Sequence, residues 1–200
     1  MDELWLQQNL LDDRISIRLG QIRADTEFVI SEASALFLNA TLGFPALLYT
    51  NLPDGGTVYP MGTLGIRLAF TPVKEFTFQT AIFEGNKFAQ NVNRHGFRYS
   101  LNPEFGYLWI NEAQLRWSQN ENSSGLAGTF RVGAWVHTAR FSNPFDGELL
   151  DGNYGFYFIV DQILYRQDGA EESGKGLNWF GRLGSRRRIR TLSAFTSIPA

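Results

Sequence analysis

Residues 130–137 read FRVGAWVH, and the fold follows from how those eight letters divide. Phe130, Val132, Ala134 and Val136 form one series; Arg131, Gly133, Trp135 and His137 form the other. Successive side chains of a strand point to opposite faces, so this segment is a strand with one apolar and one polar side. The same division recurs along the chain. Ile15, Ile17 and Leu19 oppose Arg14, Ser16 and Arg18; Leu64, Ile66, Leu68 and Phe70 oppose Thr63, Gly65, Arg67 and Ala69. Phe76, Phe78 and Ile82 oppose Thr77, Gln79 and Ala81, with Thr80 out of place, and Trp109, Ala113, Leu115 and Trp117 oppose Glu112, Gln114 and Arg116, with Asn111 out of place. In 156–165 the division is weaker, because Asp161 and Gln162 put one polar residue on each face.

Strands are accordingly expected near 3–10, 14–22, 61–71, 75–84, 107–118, 127–137, 154–166 and 176–184. The connections between them alternate between a short polar turn and a long loop bearing Gly, Asn and Pro. An antiparallel transmembrane β-barrel produces that asymmetry, since its periplasmic turns only reverse the strand while its extracellular loops are free to grow. Trp5, Trp109, Trp117 and Trp179 lie toward strand ends, where an aromatic girdle would meet lipid headgroups. The polar series collects Arg18, Arg67, Arg116 and Arg131. A cation facing lipid at mid-bilayer costs about 2 to 4 kcal/mol, so four would exceed much of a domain's stability of about 5 to 15 kcal/mol. The arginines therefore belong on the interior, which becomes a water-filled, polar lumen.

Composition bounds the alternatives. The 200 residues are 44% hydrophobic and carry a net charge of -2, which gives no basic excess for nucleic acid. With no cysteine there is no disulfide framework, thiolate nucleophile or Cys-ligated metal. His95 and His137 are the only histidines, so no His cluster suggests a metal or other cofactor. Asp12 and Asp13 sit in a two-strand turn, where Asp is favoured for backbone reasons, and Glu171 and Glu172 lie in a Gly/Ser turn. No catalytic elbow or phosphate loop occurs, and an enzyme is not expected. A soluble β-sandwich that binds carbohydrate remains the alternative from another class, since its faces also alternate. A need for detergent on extraction separates the two.

Residues 4–20 (LWLQQNLLDDRISIRLG), Phe37-Leu38-Asn39, residues 131–135 (RVGAW), 152–166 (GNYGFYFIVDQILYR) and 176–184 (GLNWFGRLG) resemble the carbohydrate-selective porin family, OprB. The resemblance implies a passive channel of the bacterial outer membrane, about sixteen strands in the porin size class, through which sugars diffuse. Its partners would be small-molecule sugars and outer-membrane lipid, with oligomeric state left open. Arg18, Arg67, Gln79, Glu112, Gln114, Arg116 and Arg131 would line the solute path, with Trp135 stacking on a sugar. The other reading of each is a lumen residue held in an ion pair within the wall. Residues 31–49 are the candidate constriction: Ser31 or Ser34 caps a short helix through Ala35 to Leu38, and Gly43 to Leu48 is too apolar for a freely exposed loop. An extracellular cap is the other reading. Loop 84–106, with Arg94, His95 and Arg98, is expected at the external surface.

Two expectations concern the ends. Met1-Asp2-Glu3 lacks the basic and apolar regions of a secretory signal, and a turn at 11–13 on the periplasmic side makes the strand before it descend. Residues 1–184 are thus expected to be an incomplete portion, about eight strands, of a larger barrel whose edges would be unstable if left unpaired. Residues 185–200 are expected to be a non-barrel tail. A degenerate codon string for residues 184–200, read two bases later, spells LAPPDQNLIGFYFDTG, a turn and an aromatic strand, so a frameshift is one origin for that tail.

Overall fold

A computed structural model describes residues 2–39, 42, 49–85, 93, 95–99, 101–119, 125–142, 149–166, 176–186 and 193–196. Its strands are β1 (Leu4–Leu10), β2 (Ile15–Ile22), β3 (Thr63–Val73), β4 (Phe76–Glu84), β5 (Tyr107–Trp117), β6 (Gly128–Ser142), β7 (Leu149–Arg166), β8 (Gly176–Arg186) and β9 (Ser193–Thr196). They form one sheet in sequence order, every neighbour antiparallel. The sheet is open, with β1 and β9 as its edges. Residues 185–200, expected outside the barrel, contribute the end of β8 and the short β9, which pairs with Gly181–Gly184.

The register aligns the parity series. Arg18 faces Arg67, Gln79 faces Glu112 and Gln114 faces Arg131, while Ile17 faces Leu68, Phe78 faces Ala113 and Leu115 faces Phe130. All the polar positions therefore share one face and the apolar ones the other. On the apolar face Leu6 is 81% exposed and Leu68, Phe78 and Leu115 are also exposed, an arrangement that water penalises and hydrocarbon favours. The two misfits explain each other: Thr80 pairs with Asn111 on that face, and Trp109 Nε1 donates to Thr80 Oγ1 at 2.9 Å. Asp161 pairs with Thr129 and so joins the polar face, whereas Gln162 looks outward. Its amide is satisfied at the strand end by the carbonyls of Leu126, Ala127 and Ile163 and by Trp117 Nε1.

Trp109 and Trp117 stand on the apolar face eight residues apart, about 26 Å along a strand and about 20 Å along the axis at a tilt near 40°, within an apolar band of about 25 Å. Trp5 does not belong to that girdle. It shares the face of Arg18, whose guanidinium lies 3.8 Å from its ring centroid.

Two boundaries differ from expectation. β6 runs to Ser142 and β7 starts at Leu149, with an irregularity between His137 and Arg140 and an Arg140–Asp151 ion pair of 3.1 Å. Much of the long loop expected at 138–153 is thus a continued hairpin. Eighteen residues of β7 span about 59 Å against a hydrocarbon core of about 30 Å. Outside the membrane the ladder continues but no lipid face enforces alternation, so the sequence pattern stops before the strands do. The turn at 11–13 places Leu11, Asp12 and Asp13 all at positive φ, which accounts for the aspartates. Gly43 to Leu48, Arg94, Glu171 and Glu172 lie outside the described residues.

The apolar core sits between the polar face and the loop from β2 to β3. Phe28 and Val29 of that loop pack with Phe83, Leu108, Ile110, Trp135, Tyr157 and Ile159, Phe28 meeting Phe83 edge-on at 6.4 Å.

Candidate functional site

The polar face carries the loop, and the sequence of the loop explains how. At its base Arg23 bonds Asp25 at 2.9 Å and Asp2 at 2.7 Å; its guanidinium is held above its ordinary pKa chiefly by the hydrogen bond to Asp25, against an opposing effect of burial. The short turn Ala24–Thr26 then delivers Glu27 onto the sheet. Its carboxylate accepts from Arg18 and, at 2.9 Å, from Arg67 Nε. Two guanidiniums facing each other across neighbouring strands repel, and one carboxylate set between them turns that repulsion into an anchor. Gln79 Nε2 adds a bond of 2.6 Å to the Glu27 carbonyl.

Glu112 makes the second anchor. It is 1% exposed and accepts from Val29 N at 2.9 Å, Tyr157 Oη at 2.7 Å, Gln79 Nε2 at 3.1 Å and Gln114 Nε2 at 2.7 Å. Four neutral donors hold the carboxylate where no guanidinium reaches it among the described residues, which is how a buried charge is tolerated.

Further along the loop, Ser31 Oγ donates to Asp161, which also accepts from Arg131 at 2.8 Å. Ser31 Oγ in turn accepts from Ser34 N at 3.2 Å and so braces the one-turn 3-10 helix Ser34–Leu36. The expected serine cap on a helix through Ala35 to Leu38 is not formed: the helix is Ser34–Leu36, its N-cap is Ala33 with no side-chain cap bond, and Ser31 instead accepts from Ser34 N inside the first turn. Arg182 donates to Ser34 Oγ at 2.8 Å and to the Leu42 carbonyl at 2.6 Å, and Phe37 packs on Phe180 at 5.6 Å. Contacts of Asn153 with Asn51 and of Arg186 with Thr50 complete a path from β2 to β8.

All eight candidate residues lie on this face. Arg18, Arg67, Gln79 and Glu112 meet the loop directly. Gln114 links Glu112 to Arg116, whose Nη2 donates to Gln114 Oε1 at 2.9 Å and to Thr77 at 3.0 Å near the β3–β4 turn. Arg131 reaches the loop through Asp161. Trp135 is 2% exposed within the apolar cluster, so it supports the loop and does not offer its ring for stacking, because an indole gains more from burial against Ile110 and Ile159 than from water. Sequence reasoning missed Glu27, Tyr157 and Arg182 as site residues and left Asp161 unassigned. Only parity could have flagged the last three; nothing local marks Glu27. Loop 85–106 leaves His95 and Arg98 exposed, while Asn93 accepts from Arg98 N at 2.9 Å and Tyr99 donates to Gln21 at 2.9 Å.

The family model described as carbohydrate-selective porin, OprB family, matches residues 1–196. Among solved structures the chain is similar to the high-pH structure of Pseudomonas putida OprB, with a TM-score of 0.70 and 18% identity over 92% of this chain and 45% of that one. It therefore spans less than half the length of that relative. No curated protein matches.

Proposed function

Because the chain belongs to the carbohydrate-selective porin, OprB family, a family of channels and not of enzymes, we propose that it forms wall and constriction of an outer-membrane pore through which sugars diffuse passively. One observation carries the reading: a single sheet with an apolar, lipid-suited outer face presents arginines, carboxylates and amides on the other face, and the described residues of the loop between β2 and β3 fold onto them. A soluble sandwich would cover its apolar face with a second sheet, whereas here that face is exposed. Arg18, Arg67, Gln79, Glu112, Gln114, Arg116 and Arg131 act at the solute path by holding the loop and lining what it leaves open. Hydroxyl-rich neutral solutes suit such a surface because they exchange water for charged and amide partners one bond at a time.

Liposomes reconstituted with a complete barrel that contains this segment should swell in isosmotic D-glucose faster than protein-free liposomes, and extraction of the protein should need detergent. Equal swelling would defeat the proposal. Deleting the segment that corresponds to residues 31–49 in a full-length relative should raise single-channel conductance; an unchanged value would place the loop outside the path.

A further inference from the structure

We infer that His137 is a pH switch, whose protonation releases the root of the β4–β5 loop. Of the two imidazoles in the chain, His95 is exposed. His137, on the polar face of β6, is 1% exposed and belongs to neither the Glu27 nor the Glu112 anchor. Both of its ring nitrogens are spent, in opposite senses. Ala139 N donates to Nδ1 at 3.2 Å, so Nδ1 carries no proton; Nε2 carries it and donates to the Gly85 carbonyl at 2.8 Å. The neutral ring thus staples the end of β4 to the irregularity in β6, with Phe141 edge-on at 5.3 Å. The β4–β5 loop leaves at Gly85 and returns at Gly106, which are joined by a bond of 3.1 Å from Gly85 N to the Gly106 carbonyl. Tyr107 N adds a bond of 2.9 Å to Thr138 Oγ1. A Cβ on Gly106 would stand 2.4 Å from Ala139 N, so the backbones are in contact and that amide has no room to turn to another acceptor.

A proton can join this ring only at Nδ1. There it turns an acceptor into a donor that faces another donor, and the amide of the buried Ala139 loses its partner, which costs more than the bond itself. No neighbouring charge offsets that loss. The register partners of His137 are Leu108 on β5 and Asn153 on β7, and neither ionises; the β2–β3 loop meets this row through the Asn51 carbonyl on Asn153. Glu84 and Tyr107 pair one step beyond Phe83 and Leu108 and so take the other face of the sheet. Arg140 of β6 is held by Asp151 of β7 at 3.1 Å. In the β4–β5 loop Tyr99 is turned to Gln21 and Arg98 is exposed. None of these groups acts on the charge of the ring. Below about pH 6.5, the ordinary imidazole value, the staple therefore opens.

Amide hydrogen exchange tests this on a complete barrel that contains this segment, held in detergent at about pH 7.5 and about pH 5. The reporting amides are those of Gly85, Tyr107 and Ala139. Their protection, corrected for the intrinsic pH dependence of exchange, should fall about tenfold at the lower pH, while the ladder amides from Arg131 to Trp135 keep theirs. His137→Gln, whose side chain offers one donor and one acceptor and gains no proton, should hold its protection at both pH values. His95→Gln should follow the wild type. Wild-type protection that does not fall at the lower pH would overturn the switch without recourse to a variant, and so would a fall that His137→Gln retains. Exchange is read without current, so either result leaves the porin reading standing.

Discussion

Glu27→Gln is the substitution with the most to reveal, because one carboxylate holds two guanidiniums. The side chains of Glu27 and Arg67 are 8% and 7% exposed and that of Arg18 is 17% exposed, so solvent screens the triad little. Removing one partner of a buried ion pair costs about 3 to 5 kcal/mol, since the remaining charge is left uncompensated. The lower end applies here. Arg18 keeps the Gln7 amide oxygen and the Trp5 face, and Arg67 keeps the Ser16 carbonyl at 3.2 Å and its hydroxyl at 3.0 Å. Against a loss of about 3 kcal/mol stand three other bonds to charged groups, those of Val29 with Glu112, Ser31 with Asp161 and Arg182 with Ser34, at about 1.5 to 3 kcal/mol each, together with the buried Phe28. The loop therefore stays docked through Ser31 and Ser34, while the limb from Ala24 to Val29 loosens. Single-channel conductance should rise, by less than on deletion of 31–49, and the reversal potential in a KCl gradient should move toward anions as two cations lose their counter-charge. Conductance and reversal potential both unchanged would show that Glu27 does not face the ion path.

Ala113→Arg, midway between Trp109 and Trp117, places a cation at the centre of the apolar face and should cost about 2 to 4 kcal/mol, seen as a lower midpoint for urea unfolding from liposomes; Gln114→Arg, one residue away on the other face, should cost far less, and equal costs would contradict the register. Gly133→Ala puts a methyl into the ring of Tyr157 and so displaces a donor to Glu112; overpacking of this kind costs about 1 to 3 kcal/mol, and an unchanged unfolding midpoint would argue that the ring is free to move. Tyr99 is pushed above its ordinary pKa by burial and then by the charge of Glu84. A raised folded-state value means that its docking to Gln21 stabilises fully below pH 10.0 and fades as pH rises through that raised value, so absorbance at 295 nm should show a late-titrating phenol that Tyr99→Phe removes. Loss of an early-titrating phenol instead would refute the docking.

The division into faces was legible because lipid enforces it residue by residue. Where the membrane ends so does the legibility, which is why β6 and β7 outran their expected bounds at Ser142 and Leu149. Trp5 and Trp109 both sit near strand ends, yet one lies over Arg18 and the other bonds Thr80 on the outside. Position along a strand suggested a girdle for both, and only parity with Arg18 through the β1–β2 register separates them. Asp161 and Gln162 were ambiguous for a related reason: an amide can face outward when backbone carbonyls at a strand end satisfy it.

Partnership was not legible at all. Parity assigns Arg18, Arg67 and Arg131 to the polar face but is silent on what neutralises them, and the answers, Glu27 and Asp161, lie 9 and 40 residues from Arg18 and Arg67 and 30 residues from Arg131 in sequence. Each pairing brings a segment of the loop with it, directly through Glu27 or through Ser31 on Asp161. An intramural salt bridge and a pore-lining role had stood as rival readings of these arginines. In Glu27 the two readings meet, since the carboxylate that closes the ion pair belongs to the loop proposed above to narrow the path, and loosening the pair is expected to widen the opening.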